Sequence, residues 1–250
     1  MSECPKCNGR GWLAVTESVN VMSNDEVGTV QSAQPCDCRY EWEFILQRAG
    51  VPAEHRAVPE DLPIPDPDIE SWSGDPWCMV FLPRVEDDGS VPRPNGTGKT
   101  WMAVRVLGLW IREGRGPFQF DGPIRRGKLV GFGAPRFAQV GWAIESMRRD
   151  IGTGSTATMD ALCNARLLVL DDWAAMRQTE YGQERMRLLV EHRSTNSLPT
   201  IVTCDRPLEA VDSQGEAAVE IRLASRMGKR SSDGKSYAFE IDHATDRRTG

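Results

Sequence analysis

Asn95-Gly96-Thr97-Gly98-Lys99-Thr100 is the stretch whose residue types and spacing point most directly to one chemistry, the cradling of phosphate. Glycines let backbone N–H groups turn toward phosphate oxygens. A lysine at this spacing reaches the β- and γ-phosphates, and a threonine hydroxyl ligates Mg²⁺. A helix that starts here adds the positive end of its dipole. The complete pattern is Gly-x4-Gly-Lys-[Ser/Thr], and its first glycine position holds Arg93.

A second chemical signal lies 72 residues after Lys99, where Leu167-Leu168-Val169-Leu170 runs into Asp171-Asp172. Ligands of doubly wound sheets sit at the carboxyl ends of strands. Asp171 is thus placed to hold the Mg²⁺ that bridges nucleotide phosphates. Asp172 is placed to orient or deprotonate a water aimed at the γ-phosphate. Acids that merely cap a loop are the plainer alternative. Thr200-Ile201-Val202-Thr203-Cys204-Asp205 ends the next strand in polar groups, and Thr203 or Asp205 is positioned to sense the γ-phosphate or the water. Asp205-Arg206-Pro207 is equally a good turn. Arg222 and Arg226 share one face of a helix over residues 216–227. Such an arginine either stabilises charge on a transferred phosphoryl group, from a neighbouring subunit if need be, or answers the helix dipole.

Four of the seven cysteines form two close pairs, Cys4/Cys7 and Cys36/Cys38. Gly9 and Gly11 suit a tight turn after the first pair, and strand-like stretches lie between the pairs. Two knuckles joined by a hairpin make a zinc ribbon, in which four thiolates close a tetrahedral Zn²⁺ site. The Cys-x-Cys half departs from the commoner spacing, and free thiols are the alternative. Cys78, Cys163 and Cys204 lie in apolar segments and read as small buried hydrophobes. His55, His192 and His243 are far from these pairs and read as structural or exposed.

The elements that must position these residues alternate between the two periods. Buried strands are expected at residues 78–82, 128–133, 165–170, 199–204 and 236–242. Helices are expected at residues 40–48, 101–112, 137–147, 185–195 and 216–227. Strands alternating with helices predict an α/β fold, a five-stranded parallel sheet covered on both faces. Residues 52–76 hold six prolines and seven acids, which suits a linker or a loop laid over the next domain. The expected organisation is a zinc-ribbon-like domain (1–50), a Pro-rich acidic linker (51–76) and a nucleotide-binding domain (77–250).

Composition sets the outer limits. The 250 residues are 40% hydrophobic and 26% charged, as a soluble core requires. No apolar run reaches a membrane span and no signal pattern opens the chain, so a cytoplasmic location without membrane contact is expected. A net charge of −6 argues against wrapping nucleic acid with the whole surface. Residues 105–149 nevertheless carry nine Arg and Lys against three acids, which is either a local basic face or ordinary solvated surface.

Together these residues resemble the DnaC/IstB branch of the AAA+ ATPases, the bacterial and phage helicase loaders, over nearly the whole chain. Gly96-Thr97-Gly98-Lys99-Thr100 looks like Walker A, and Leu168-Val169-Leu170-Asp171-Asp172 like the double-Asp Walker B of that branch. Pro199-Thr200-Ile201-Val202-Thr203 is similar to its sensor I strand, and Leu223-Ala224-Ser225-Arg226-Met227 to its Arg-finger helix. The cysteine-bearing front resembles the zinc domain of some loaders. Gly50-Val51-Pro52 with His55-Arg56 resembles the approach to their ATPase domain. The 24 residues after Arg226 are too few for a full helical lid, which also suits the branch.

The resemblance implies a weak ATPase that binds ATP with Mg²⁺ and loads the replicative helicase. Its N-terminal zinc domain would grip the helicase, and its ATP-bound form would assemble into a homo-oligomer on single-stranded DNA. The segment from Ser146 to Asp160 falls where initiator-type relatives insert a DNA-contacting helix, which makes Arg148 and Arg149 the DNA candidates. The chain departs from the pattern at Arg93, in the insertion before the loop, and at Asp205, where the branch usually has Asn. Two other readings compete: an ATP-binding transposition regulator, and a zinc-domain adaptor with a degenerate nucleotide site.

Overall fold

The computed structural model describes residues 6, 12–20, 27–35, 42–84, 98–113, 134–173, 179–205, 232, 234, 235 and 237–241. The chain divides into two compact units between Ile45 and Leu46.

In the first unit, β1 (Trp12–Asn20) and β2 (Val27–Pro35) pair antiparallel, from Trp12 opposite Pro35 to Asn20 opposite Val27. This is the expected hairpin. Cys4, Cys7, Cys36 and Cys38 lie outside the described residues. Among the described residues no group of three or more His, Cys, Asp or Glu could hold a metal ion. Helix α1 (Trp42–Arg48) spans the division between the units.

The second unit is built on a five-stranded sheet in the order β4-β5-β6-β3-β7. Its strands are β3 (Cys78–Pro83), β4 (Arg136–Gln139), β5 (Leu168–Asp171), β6 (Thr200–Thr203) and β7 (Ala238–Ile241), and every pairing is parallel. The period-2 alternation of side chains assigns the two faces. Cys78, Val80, Leu168, Leu170, Val202 and Cys204 pack with Val140, Ile144, Met147, Leu162, Met186 and Leu189. Those partners come from α5 (Val140–Gly152), α6 (Ala157–Cys163) and α7 (Glu180–Thr195). On β7 the alternation leaves Ala238 and Glu240 exposed and buries Ile241, as its sequence predicts.

Helix α4 (Lys99–Arg112) packs against β3, β5 and β6, and against the short helix α2 (Ala53–Arg56). It is therefore covered from more than one side, which explains its unbroken buried run from Met102 to Trp110. Residues 52–76 supply part of that cover. Besides α2 they form α3 (Pro67–Ser71), where Pro67 sits in the first turn and the Asp66 side chain caps the Asp68 N–H at 2.8 Å. Val58, Leu62, Ile69 and Trp72 are buried, and the Leu62 carbonyl accepts from Arg105 Nε on α4 at 3.3 Å. Arg112 pairs with Glu60. The segment thus packs on the larger unit through its apolar residues, whereas Pro59, Pro63, Pro65 and Pro67 stay exposed.

One expected boundary is corrected. The helix predicted from residue 137 begins at Val140, and Phe137 to Gln139 belong to β4, paired with Val169 to Asp171. Phe137, Val140, Ile144 and Met147 all face the interior, so the helical spacing ran on into the strand. The strand expected over 128–133 lies outside the described residues.

Arg193 occupies an apolar stripe of α7 and is fully buried. Its Nη1 donates to the Leu162, Cys163 and Ala165 carbonyls, its Nη2 to Pro199 O and its Nε to Thr200 Oγ1, at 2.6–3.2 Å. It thereby ties the end of α6 to the start of β6. Burial drives its pKa down to about 9, which leaves it charged at neutral pH. Arg193→Met should lower the unfolding free energy by roughly 3 kcal/mol, because several buried carbonyls lose their donor. Urea unfolding checks this, and a loss below about 1 kcal/mol would mean that the carbonyls find other donors. Cys78 and Cys204 are buried as expected, whereas Cys163 is only half-buried.

Candidate nucleotide site

The chain order places α4, β5 and β6 around one point. β3 leads to α4, and β6 lies directly beside β3, with Phe81 opposite Thr203. β5 lies beside β6 on the other side. The carboxyl ends of three adjacent strands meet the N-terminus of α4, at the position where open parallel sheets bind ligands.

Gly98 is the residue before α4 and has φ +86°, a conformation that a side chain would strain. It turns the chain so that α4 opens with Lys99 and Thr100. Asn95, Gly96, Thr97 and Arg93 lie outside the described residues. The Thr100 hydroxyl donates to Asp171 Oδ1 at 2.8 Å, a contact between residues 71 apart in the sequence. The Thr203 hydroxyl donates to the same oxygen at 2.8 Å. Thr203 Oγ1 also accepts from the Asp172 backbone N–H at 3.0 Å. Its hydroxyl hydrogen is committed to Asp171, so Thr203 fixes both ends of the Asp171-Asp172 pair.

Asp171 is 3% exposed. Burial pushes its carboxyl above the usual carboxylate range, the Thr203 and Thr100 hydrogen bonds and the His55 imidazole pull it back, and Asp205 pushes it up. His55 lies in the last turn of α2, tilted against Phe137 with ring centres 6.2 Å apart. Asp172 has φ +60°, in the left-handed region that Asp and Asn tolerate best among residues with side chains. The chain therefore turns sharply at the end of β5.

Lys99 is 6% exposed, and its ammonium lies 2.9 Å from Asp205 Oδ1. The pair joins the start of α4 to the end of β6. Sequence spacing alone does not reveal it, although the β3–β6 register puts the two residues at one sheet end.

The oxygens of Thr100 and Asp171 are hard donors of the kind Mg²⁺ prefers, and they already lie within hydrogen-bonding distance of each other. The donor set fits this ion, with Lys99 beside it for phosphate. Arg222 and Arg226 lie outside the described residues. Arg148 and Arg149 are exposed on α5. The Arg148 guanidinium lies 3.5 Å from Glu145 and 5.6 Å from the centre of the Tyr181 ring, which Arg185 also faces at 5.2 Å. The following segment is fastened by Asp150, whose Oδ2 accepts from the Thr158 N–H at 2.7 Å and whose carbonyl accepts from the Ser155 N–H at 2.8 Å. Among the described residues no helix is long and apolar enough to cross a membrane.

Solved structures provide the comparison. The DnaI structure is similar at 13% identity and a TM-score of 0.50, covering 79% of this chain and 94% of that one. The DnaC helicase loader gives 18% identity and a TM-score of 0.45 over 71% of this chain and 90% of that one. AMPPCP-bound DnaA from Aquifex aeolicus gives 16% and 0.46 over 70% of this chain, which spans only 43% of the DnaA chain. No family model and no curated sequence matches. The five-stranded parallel sheet and the likeness to DnaI show an α/β fold, a parallel sheet covered by helices, shared with that structure.

Proposed function

We propose that this chain binds ATP with Mg²⁺, hydrolyses it weakly, and loads a replicative helicase onto single-stranded DNA. The observation that carries the nucleotide reading is the Thr100–Asp171 hydrogen bond beside buried Lys99. It brings hydroxyl, carboxylate and ammonium together at one sheet end in the arrangement that phosphate-loop NTPases use. Bound Mg²⁺ would be held by Thr100 and Asp171 and would neutralise charge on the β- and γ-phosphates.

The remaining work falls to the chain itself. Asn95, Gly96, Thr97 and Gly98 are proposed to bind the phosphates, the glycines through their backbone N–H groups. Lys99 binds the phosphates as a compact cation. Asp172, turned at the end of β5, orients the attacking water and takes its proton. Thr203 positions Asp171 and Asp172, and Asp205 faces Lys99. Arg226 is proposed as the finger that a neighbouring subunit's site receives in an ATP-bound oligomer. Arg148 and Arg149 are proposed to meet DNA phosphates, which would make binding salt-dependent. The loader reading rests on the sequence resemblance, and a cytoplasmic location goes with it.

Capture of a replicative helicase by the intact protein, with and without Mg²⁺ and ATP, tests it. ATP-dependent capture is expected. No capture in either condition, with nucleotide binding intact, would sink the loader reading and leave the transposition regulator, whose partner is a transposase.

The N-terminal unit is proposed to hold one Zn²⁺ through Cys4, Cys7, Cys36 and Cys38. The hairpin register supports this: its open end is at Trp12 and Pro35, and the two cysteine pairs are the sequence that flanks that end. About one zinc per chain is expected, as a Cys₄ site requires. Elemental analysis of the purified protein checks this, and a metal-free protein would remove the ribbon.

A further inference from the structure

The Lys99–Asp205 pair sets the phosphate-binding lysine against a carboxylate in its own site. Lys99 is almost wholly buried, and Asp205 keeps about a third of its side chain in water, so the pair is screened from the Asp205 side only. Asp205 follows the end of β6, whose Thr203 hydroxyl donates to Asp171 at 2.8 Å.

We propose that Asp205 is a resident competitor for the γ-phosphate, so that the site prefers a nucleoside diphosphate to the triphosphate. The proposal rests on the nucleotide-binding reading above and adds its phosphate selectivity. An ammonium has three donor hydrogens. Lys99 can therefore reach a β-phosphate while one hydrogen stays on Asp205. A γ-phosphate must share the lysine with that carboxylate, and like charges brought together in a desolvated site are strongly unfavourable. Triphosphate binding therefore requires the Asp205 carboxylate to leave Lys99, and diphosphate binding does not.

Asp205→Asn tests this, because it keeps size and turn-forming character and removes only the charge. Asp205→Glu keeps the charge and serves as the second variant. Titrations of the intact proteins with Mg–ADP and Mg–ATP give the ratio of affinities, and melting curves confirm folding. Wild type and Asp205→Glu should bind Mg–ADP more tightly than Mg–ATP. Asp205→Asn should raise the relative affinity for Mg–ATP by about tenfold or more. Wild-type affinity for Mg–ATP equal to or above that for Mg–ADP would overturn the proposal, as would equal shifts for both nucleotides in Asp205→Asn. If none of the three proteins binds either nucleotide, the nucleotide reading itself fails and takes this inference with it.

Discussion

Lys99→Ala should reduce nucleotide affinity by at least about a hundredfold, a loss of ~3 kcal/mol. The lysine is the first residue of α4 and is buried, so its charge acts in a site that excludes most water. Charge-assisted hydrogen bonds to phosphate are about twice as strong as neutral ones. The substitution also leaves Asp205 without its partner. Asp205 is 31% exposed, so water can take over part of that role and the fold should survive. Lys99→Arg should not restore binding, because a planar fork does not replace a compact ammonium at a buried position. Titration with a fluorescent nucleotide measures the effect. Affinity within about threefold of wild type would remove Lys99 from the phosphate site.

Asp172→Asn should lower the rate of ATP hydrolysis by about 10²–10⁴-fold and leave ATP binding nearly unchanged. Its backbone N–H donates to Thr203 at 3.0 Å, and its φ of +60° suits asparagine as well as aspartate. Asparagine therefore keeps the turn and loses only the base. Asp171→Asn would instead remove a metal-binding carboxylate and disturb Thr100 and Thr203 together. Single-turnover hydrolysis separates binding from chemistry. A rate constant within about threefold of wild type would assign the water-activating role to another group.

The parts of the site that the sequence reveals are those with a local signature. β5 is legible because an apolar run ends abruptly in Asp171-Asp172, and α4 because it is apolar on nearly every side behind a glycine-rich loop. The Thr100–Asp171 contact follows once both are placed on one sheet. β4 is hidden because Phe137 satisfies the helical spacing of Val140, Ile144 and Met147 while its backbone pairs with β5. Residues 52–76 read as a linker or a loop laid over the next domain because prolines and acids dominate them; Val58, Leu62, Ile69 and Trp72 are buried, and the Leu62 carbonyl accepts from Arg105 on α4. Arg193 looks like a polar interruption of a buried stripe, and only the carbonyls at the end of α6 and the start of β6 explain it. The Lys99–Asp205 pair depends on long-range packing, which no window of sequence contains.

Thr203 shows how geometry refines a role. Its place at the end of β6 made it a sensor candidate, and it does lie among the acidic groups. Its hydroxyl is nonetheless shared between Asp171 and the Asp172 N–H. A residue held in this way fixes the Asp171 carboxylate and the Asp172 backbone, and its effect on the proposed hydrolysis would pass through them.

Titration of the intact protein with Mg–ATP and Mg–ADP tests the central claim most directly, because every proposed role of this site presupposes a bound nucleotide. The expected result is one nucleotide site per chain, weakened when Mg²⁺ is removed and lost in Lys99→Ala. Absence of saturable binding by either nucleotide, in a protein that melts cooperatively, would contradict it and leave the α/β unit as a scaffold.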